Sequence, residues 1–265
     1  MGTYHSRPQP DLPMVELDVT QQSQVDALLD EGGFDVCVHA AANRDVEACE
    51  DDPRAAVRLN VHATRYVAEA CRRVGTRLVY ISTDHVFDGL PRRTYDEDDE
   101  PRPIQVYGFT KLAGELEALR TPGALCIRAP VLHGAAPSGN EDDFPVQVLR
   151  RLRIGATIAA DDDAVRYPVL VDELAEAVAR LCAGGVSGVV HFSSAEGVTK
   201  YAWARLLAEE FDLDPACVVA GPQVGRAARP RDNHLTSKRL AALGLTAPTN
   251  VSDAVRALRR AGQAA

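Results

Sequence analysis

The 265-residue sequence has no CxxC pair among its six cysteines, one tryptophan, only 5% aromatic residues and no cationic excess. Each absence excludes something. Cys37, Cys49, Cys71, Cys126, Cys182 and Cys217 lie singly, several in apolar stretches. That scatter excludes a zinc-type spacing and a disulfide framework, and predicts reduced thiols in a soluble, cytoplasmic protein. No apolar run approaches the ~20 residues that cross a bilayer, and no signal-peptide pattern opens the chain, so neither a membrane span nor secretion is expected. Acidic residues outnumber basic ones 38 to 29, for a net charge of -9. Such a surface repels nucleic acid and anionic membranes, although local basic clusters such as Arg226, Arg229 and Arg231 still suit a phosphate. One more absence matters for function. No GxGxxG or GxxGxxG turn joins a first strand to a first helix, and the glycines of 184–188 come too late and follow a helix.

What is present is an alternation of strand and helix patterns in a chain that is 46% apolar. Residues 1–4 read as the tail of a strand ending in the turn His5-Ser6-Arg7-Pro8, and 14–18 as a second short strand. Thr20 suits an N-cap for a helix reaching residue 29. The near-continuous apolar run 34–42 has the pattern of a strand buried on both faces. A long helical pattern over 46–74 is interrupted near Pro53. Strands are predicted at 77–82, 125–128 and 189–192, and helices at 107–119, 172–182 and 200–211. The acidic, proline-rich stretch 91–103 reads as a surface loop. Strands alternating with helices predict βαβ crossovers and a parallel sheet covered on both faces, an α/β class.

The chemistry concentrates at Ser82-Thr83-Asp84 and at Tyr107-x-x-x-Lys111. Thr83 ends a predicted strand, the edge at which open α/β sheets bind ligands. Tyr107 and Lys111 stand one helical turn apart on one face. An ammonium beside a phenol favours the phenolate and is expected to lower the phenol's pKa toward working pH. Such a tyrosine can protonate a carbonyl oxygen as hydride reaches the carbon, with the threonine hydroxyl bonded to the same oxygen. A four-residue Tyr/Lys spacing alone also fits an ordinary exposed helix pair. His39, His133 and His191 read as core or strand-end histidines with hydrogen-bond partners, Asp161-Asp162-Asp163 as a solvated turn, and Trp203 as a packing residue.

The stretch Ser82-Thr-Asp-His-Val-Phe-Asp-Gly89, the acidic loop 95–103, and Tyr107-Gly-Phe-Thr-Lys-Leu-Ala-Gly-Glu115 are similar to signature blocks of the dTDP-4-dehydrorhamnose reductase family of extended short-chain dehydrogenases. So are Val38-His-Ala-Ala-Ala42 with Asn60 downstream, and Arg229-Pro230 followed by Leu235. The resemblance runs over essentially the whole chain. It implies a Rossmann-type doubly wound parallel sheet with a smaller substrate-binding lobe. The core would be 1–130 and about 166–194, and the lobe about 131–165 and 195–265. It implies Thr83, Tyr107 and Lys111 as the catalytic set, with Lys111 also touching the nicotinamide ribose, and Asp84, His85, Val86, Val131 and Arg229 beside the substrate. The implied reaction is NADP(H)-dependent reduction of a 4-keto group on a nucleotide-activated deoxysugar.

On that fold His5, Ser6 and Arg7 follow the strand where an adenosine ribose lies, and a hydroxyl and a cation without a carboxylate favour the 2′-phosphate of NADP. Asp18 and Val19 would lie near the adenine, and Ala40, Ala41 and Ala42 would let the cofactor approach the backbone. The family's glycine loop precedes the segment that here begins at Met1. The resemblance therefore implies that the first strand, the phosphate loop and the first helix are missing, through a late start site or in a degenerate relative. Loss of two or three charged hydrogen bonds, at ~1.5–3 kcal/mol each, would weaken cofactor binding by two or more decades. Arg128-Ala-Pro-Val-Leu-His133 departs from the reductase pattern and resembles instead the non-catalytic β regulatory subunit of methionine adenosyltransferase, as do Val198-Thr-Lys-Tyr201 and Leu235-Thr-Ser-Lys238. The expected partners are accordingly a nucleotide sugar, a second copy in a homodimer, or, under this alternative, an enzyme recruited by the surface.

Overall fold

Prolines, caps and apolar faces place the elements close to where the sequence puts them. The structure, a computed structural model, describes residues 1–6, 8, 12–91, 93–134 and 143–263, with side chains to residue 260; Arg7 lies outside the described residues. The chain divides into two units. The first comprises Met1–Val86, Pro101–Arg128 and Val178–Val190, and the second Phe87–Glu100, Ala129–Ala177 and His191–Ala265.

In the first unit a four-stranded sheet runs in the order Gly188–His191, Leu125–Ala129, Arg77–Thr83, Val36–His39. The last two strands are parallel, with Val36 opposite Arg77 and His39 opposite Tyr80. The long helical stretch is broken as Pro53 requires. Helix Val46–Asp51 is capped by Asp45, helix Pro53–Val57 starts with proline at N1 under an Asp52 cap, and a π-helical turn Arg58–His62 leads into helix Ala63–Val74. That last helix buries Val67, Ala68, Ala70 and Cys71 and stops at Gly75, whose φ of 78° forms a left-handed cap. The core around Leu78, Tyr80 and Cys126 also takes in Val25 and Leu29 of helix Gln22–Gly32.

Two local expectations fail. Thr20 does not cap the first helix. Its N–H and hydroxyl both donate to the Asp18 carboxylate, at 2.9 and 2.7 Å, and Gln21 holds the cap position without a side-chain bond. The strand Val36–His39 is not buried on both faces, for Val36 and Val38 are 37% and 48% exposed. The reason lies beside it. Gly2–Tyr4 pairs only with Met14–Glu16 in a separate parallel two-stranded sheet, and Val36–His39 pairs only with Arg77–Thr83 among the described residues. An apolar groove of about 470 Å³ is lined by residues of both unpaired edges, Gly2 and Thr3 on one and Val36 to His39 on the other, with Leu29, Phe34 and Val67 among its other walls.

The second unit packs helices Phe144–Arg153, Lys200–Glu210 and Val251–Gln263 with the parallel pair Ile158–Asp161 and Val218–Gly221 around a core centred on Trp203 and Leu207. Trp203 is a packing residue, as expected. The acidic loop contributes a short strand, Thr94–Tyr95, paired with His234–Leu235. No disulfide forms among the cysteines. No described helix is long and apolar enough to cross a membrane.

Candidate active site

Helix Val106–Leu119 carries the site because its start is held from two sides. Gln105 accepts from the Gly108 N–H at 2.6 Å, and Glu50 from the Val106 N–H at 2.8 Å, which satisfies two of the helix's orphan donors. The Gln105 amide also meets the His85 ring nitrogen at 2.6 Å, tying this helix start to the turn after strand Arg77–Thr83. Two glycines let helix and neighbours approach. A Cβ on Gly108 would collide with the His85 carbonyl, and one on Gly114 with the Asn60 carbonyl and, at 2.6 Å, the Tyr80 hydroxyl. Gly114→Ala is therefore expected to cost about 1–3 kcal/mol, because the contact on one side is backbone and cannot rotate away. Chemical denaturation of the variant checks this, and an unchanged midpoint would contradict the packing.

Along that helix Tyr107, Lys111 and Glu115 fall at successive fourth positions, on one face. Thr83 is buried at the end of its strand, donates to Asp84 at 3.0 Å and accepts from the His85 N–H at 3.2 Å. Tyr107 is half-buried, with the His85 ring edge-on at 5.5 Å between centroids. Burial pushes the Tyr107 phenol up to about 12, while the nearby Thr83 hydroxyl works the other way. Lys111 is 3% exposed, donates to the Ile81 carbonyl at 2.7 Å, and stands 4.1 Å over the Tyr80 ring. Burial brings its amine down to about 7, against the pull of Glu115.

This arrangement corrects one expectation. The ammonium does not draw the phenol toward ionisation, because the amine is spent on the Ile81 carbonyl and the phenol is desolvated. Tyr107 stays protonated at neutral pH, the state a proton donor needs.

Asn60, placed by the π-helical turn, accepts from the Asn43 N–H at 2.8 Å and donates to Thr110 at 3.0 Å. His39 is fixed by Thr64 at 3.1 Å and is brought down to about 3 by burial, so it is neutral core.

The remaining predicted residues divide by location. Asp84 and Val86 are buried in the short 3-10 turn Asp84–Val86, with His85 half-buried between them. Val19, Ala40 and Ala41 line the apolar groove, whereas His5, Ser6, Asp18 and Ala42 are not among its walls. His5 and Ser6 are exposed. The Asp18 carboxyl is held below its ordinary value by the Thr20 bonds first, with the His5 charge a lesser contribution.

Val131 and Arg229 belong to the second unit. There Val131 packs on the Trp203 core, and Arg229 is half-buried, one of two cations, with Arg166, whose charge acts on Lys200. His133 departs from expectation, since both its ring nitrogens are buried without a hydrogen-bond partner among the described residues, edge-on to Trp203. Asp161 closes its own turn by accepting from the Asp163 N–H, and no metal-binding group forms among the described residues.

Sequence reasoning missed Gln105 and the buried pair Glu115–Arg128. A charged residue at the fourth position after Lys111 and an arginine inside an apolar strand were the available signals.

The family model for the RmlD substrate binding domain matches residues 5–262. The dTDP-4-dehydrorhamnose reductase of Mycobacterium tuberculosis is 36% identical over 240 residues, which cover 86% of this chain and 77% of that protein. Methionine adenosyltransferase 2 subunit beta of Danio rerio is 35% identical over 225 residues, 80% of this chain and 67% of that one. Among solved structures, dTDP-4-dehydrorhamnose reductase of Bacillus anthracis in complex with NADP superposes with a TM-score of 0.86 at 26% identity, covering 94% of this chain and 90% of the other.

Proposed function

The chain belongs to the RmlD substrate binding domain family, and on that premise we propose that it is an NADPH-dependent reductase of a 4-keto group on a nucleotide-activated deoxysugar. The observation that carries the reading is Tyr107 and Lys111 one turn apart on helix Val106–Leu119, with Thr83 buried at the end of strand Arg77–Thr83. The bound cofactor would supply the hydride. The phenol gives its proton to the ketone oxygen, so that ketone, NADPH and one proton become alcohol and NADP. Thr83, whose donor rests on Asp84, turns that hydrogen to the same oxygen when substrate arrives.

Residues of this chain fit the dinucleotide. Ala40 and Ala41 are exposed and nearly featureless at a strand's end, and the His5-Ser6 turn presents a hydroxyl with no carboxylate. Lys111 would stand beside the nicotinamide ribose. With NADPH and a dTDP-4-keto-6-deoxysugar we expect equimolar cofactor oxidation and alcohol formation, and NADH used about tenfold less efficiently for want of a 2′-phosphate. Absence of any alcohol product would overturn the reading.

The likeness to the adenosyltransferase subunit, together with Arg128-Ala-Pro-Val-Leu-His133, favours a second reading as a non-catalytic partner subunit. A stable complex with an adenosyltransferase, without ketosugar turnover, distinguishes it.

A further inference from the structure

Beneath the proposed site lies a charged group that the reaction itself does not use. Glu115 is 1% exposed and Arg128 4%. The two form a bidentate pair, Arg128 Nη2 to Glu115 Oε1 at 2.6 Å and Nε to Oε2 at 3.1 Å. Ser82, the residue before Thr83, donates to Oε2 at 2.8 Å. One carboxylate thus joins three elements: the helix of Tyr107 and Lys111, the strand that ends in Thr83, and the neighbouring strand Leu125–Ala129.

We propose that Glu115 is a positioning residue, which locks the helix bearing Tyr107 and Lys111 in register against Thr83 and supplies the only buried carboxylate among the described residues that acts on the Lys111 ammonium. The inference rests on the reductase reading. Removing a partner from a buried ion pair is ordinarily costly, whereas a pair kept only for stability can be replaced by apolar groups at little loss. Its place one turn from Lys111 gives this pair a second effect.

The groups that face Lys111 are few. Tyr80 and His39 come from two sheet strands, Cys126 from a third, and Tyr107 and Glu115 from its own helix, with Arg128 acting through Glu115. His39 is neutral, and burial raises the Tyr80 phenol and the Cys126 thiol and so keeps both uncharged. Glu115 is the remaining anion, and its field is shared between two cations.

The test exploits that sharing. In Glu115→Gln the lysine loses its anion, and in Arg128→Met it gains the whole of it. Titration of isotope-labelled lysine ε-carbons, followed by magnetic resonance in the folded proteins, should show Lys111 losing its proton about one pH unit lower in the first variant and at higher pH in the second. Movements of opposite sign support the proposal. Movement in the same direction, or none, overturns it and leaves a structural pair only. Should Glu115→Gln fail to fold, Arg128→Met decides alone: titration of Lys111 at higher pH than in the wild type supports the proposal, and a fall or no change overturns it.

Ser82→Ala, which removes only a neutral donor, is expected to lower kcat several-fold with KM unchanged, and a rise in KM alone would contradict the positioning role. Lack of turnover by the wild-type protein would strike the reductase reading, while the lysine titration reads Glu115 independently.

Discussion

Replacing Tyr107 with phenylalanine is expected to lower turnover by about 10²–10⁴, the usual share of a positioned acid. NADPH affinity should change less than about threefold, near the level of RT. The ring's environment survives the change, since the edge-on His85 and the helix backbone do not depend on the hydroxyl. Only the proton donor goes. The phenol's raised pKa adds a second expectation. The proton-donor step that Tyr107 supplies should be lost only in the alkaline range where the tyrosine loses its proton, nearer 12 than 10. Single-turnover measurements of NADPH oxidation, beside fluorescence binding of the cofactor, separate chemistry from binding. Undiminished turnover in Tyr107→Phe would remove this tyrosine from the mechanism.

Lys111→Met should do the opposite to stability. The wild-type amine is buried and brought down from 10.5 to about 7. Between those pH values the unfolded chain binds a proton that the folded chain does not, so folding stability rises with pH across that window. Below about pH 7 the full cost of burying the ammonium is present. Methionine has a similar length and no charge, so at neutral pH the variant should be more stable by about 2–4 kcal/mol, given ~1.36 kcal/mol per pKa unit and the loss of the Ile81 bond. The advantage should shrink as pH rises toward 10.5. Thermal melts of both proteins at a series of pH values read this directly. A variant less stable than wild type at every pH would show that the lysine's contacts outweigh its desolvation. The gain would come with loss of turnover, as expected where function keeps a strained group in place.

Much of this was legible in the chain. Prolines and aspartates announce the broken helix, since Pro53 cannot continue one and Asp45 and Asp52 prefer to begin one. The catalytic face was legible because fourth-residue spacing is a property of helix geometry alone. The ionisation states were not. Spacing places an ammonium near a phenol but cannot say where the amine points, and here a main-chain carbonyl takes it. Nor could an apolar run reveal that Val36 and Val38 face an open groove, because apolar residues are chosen for what eventually covers them. Thr20 was read as a cap when its hydroxyl serves Asp18 instead, a local choice among donors that composition does not order.

Among the described residues, one margin each of Gly2–Tyr4 and Val36–His39 carries no neighbouring strand, which has a consequence outside catalysis. Each presents a ladder rung pattern of amide hydrogens and carbonyl oxygens to whatever extended backbone drifts by, and natural sheets blunt such rims with charge or proline. Here the rim is valine beside an oily trough. An extended segment that brought its own amide hydrogens and carbonyl oxygens would find unpaired partners and an apolar lining there.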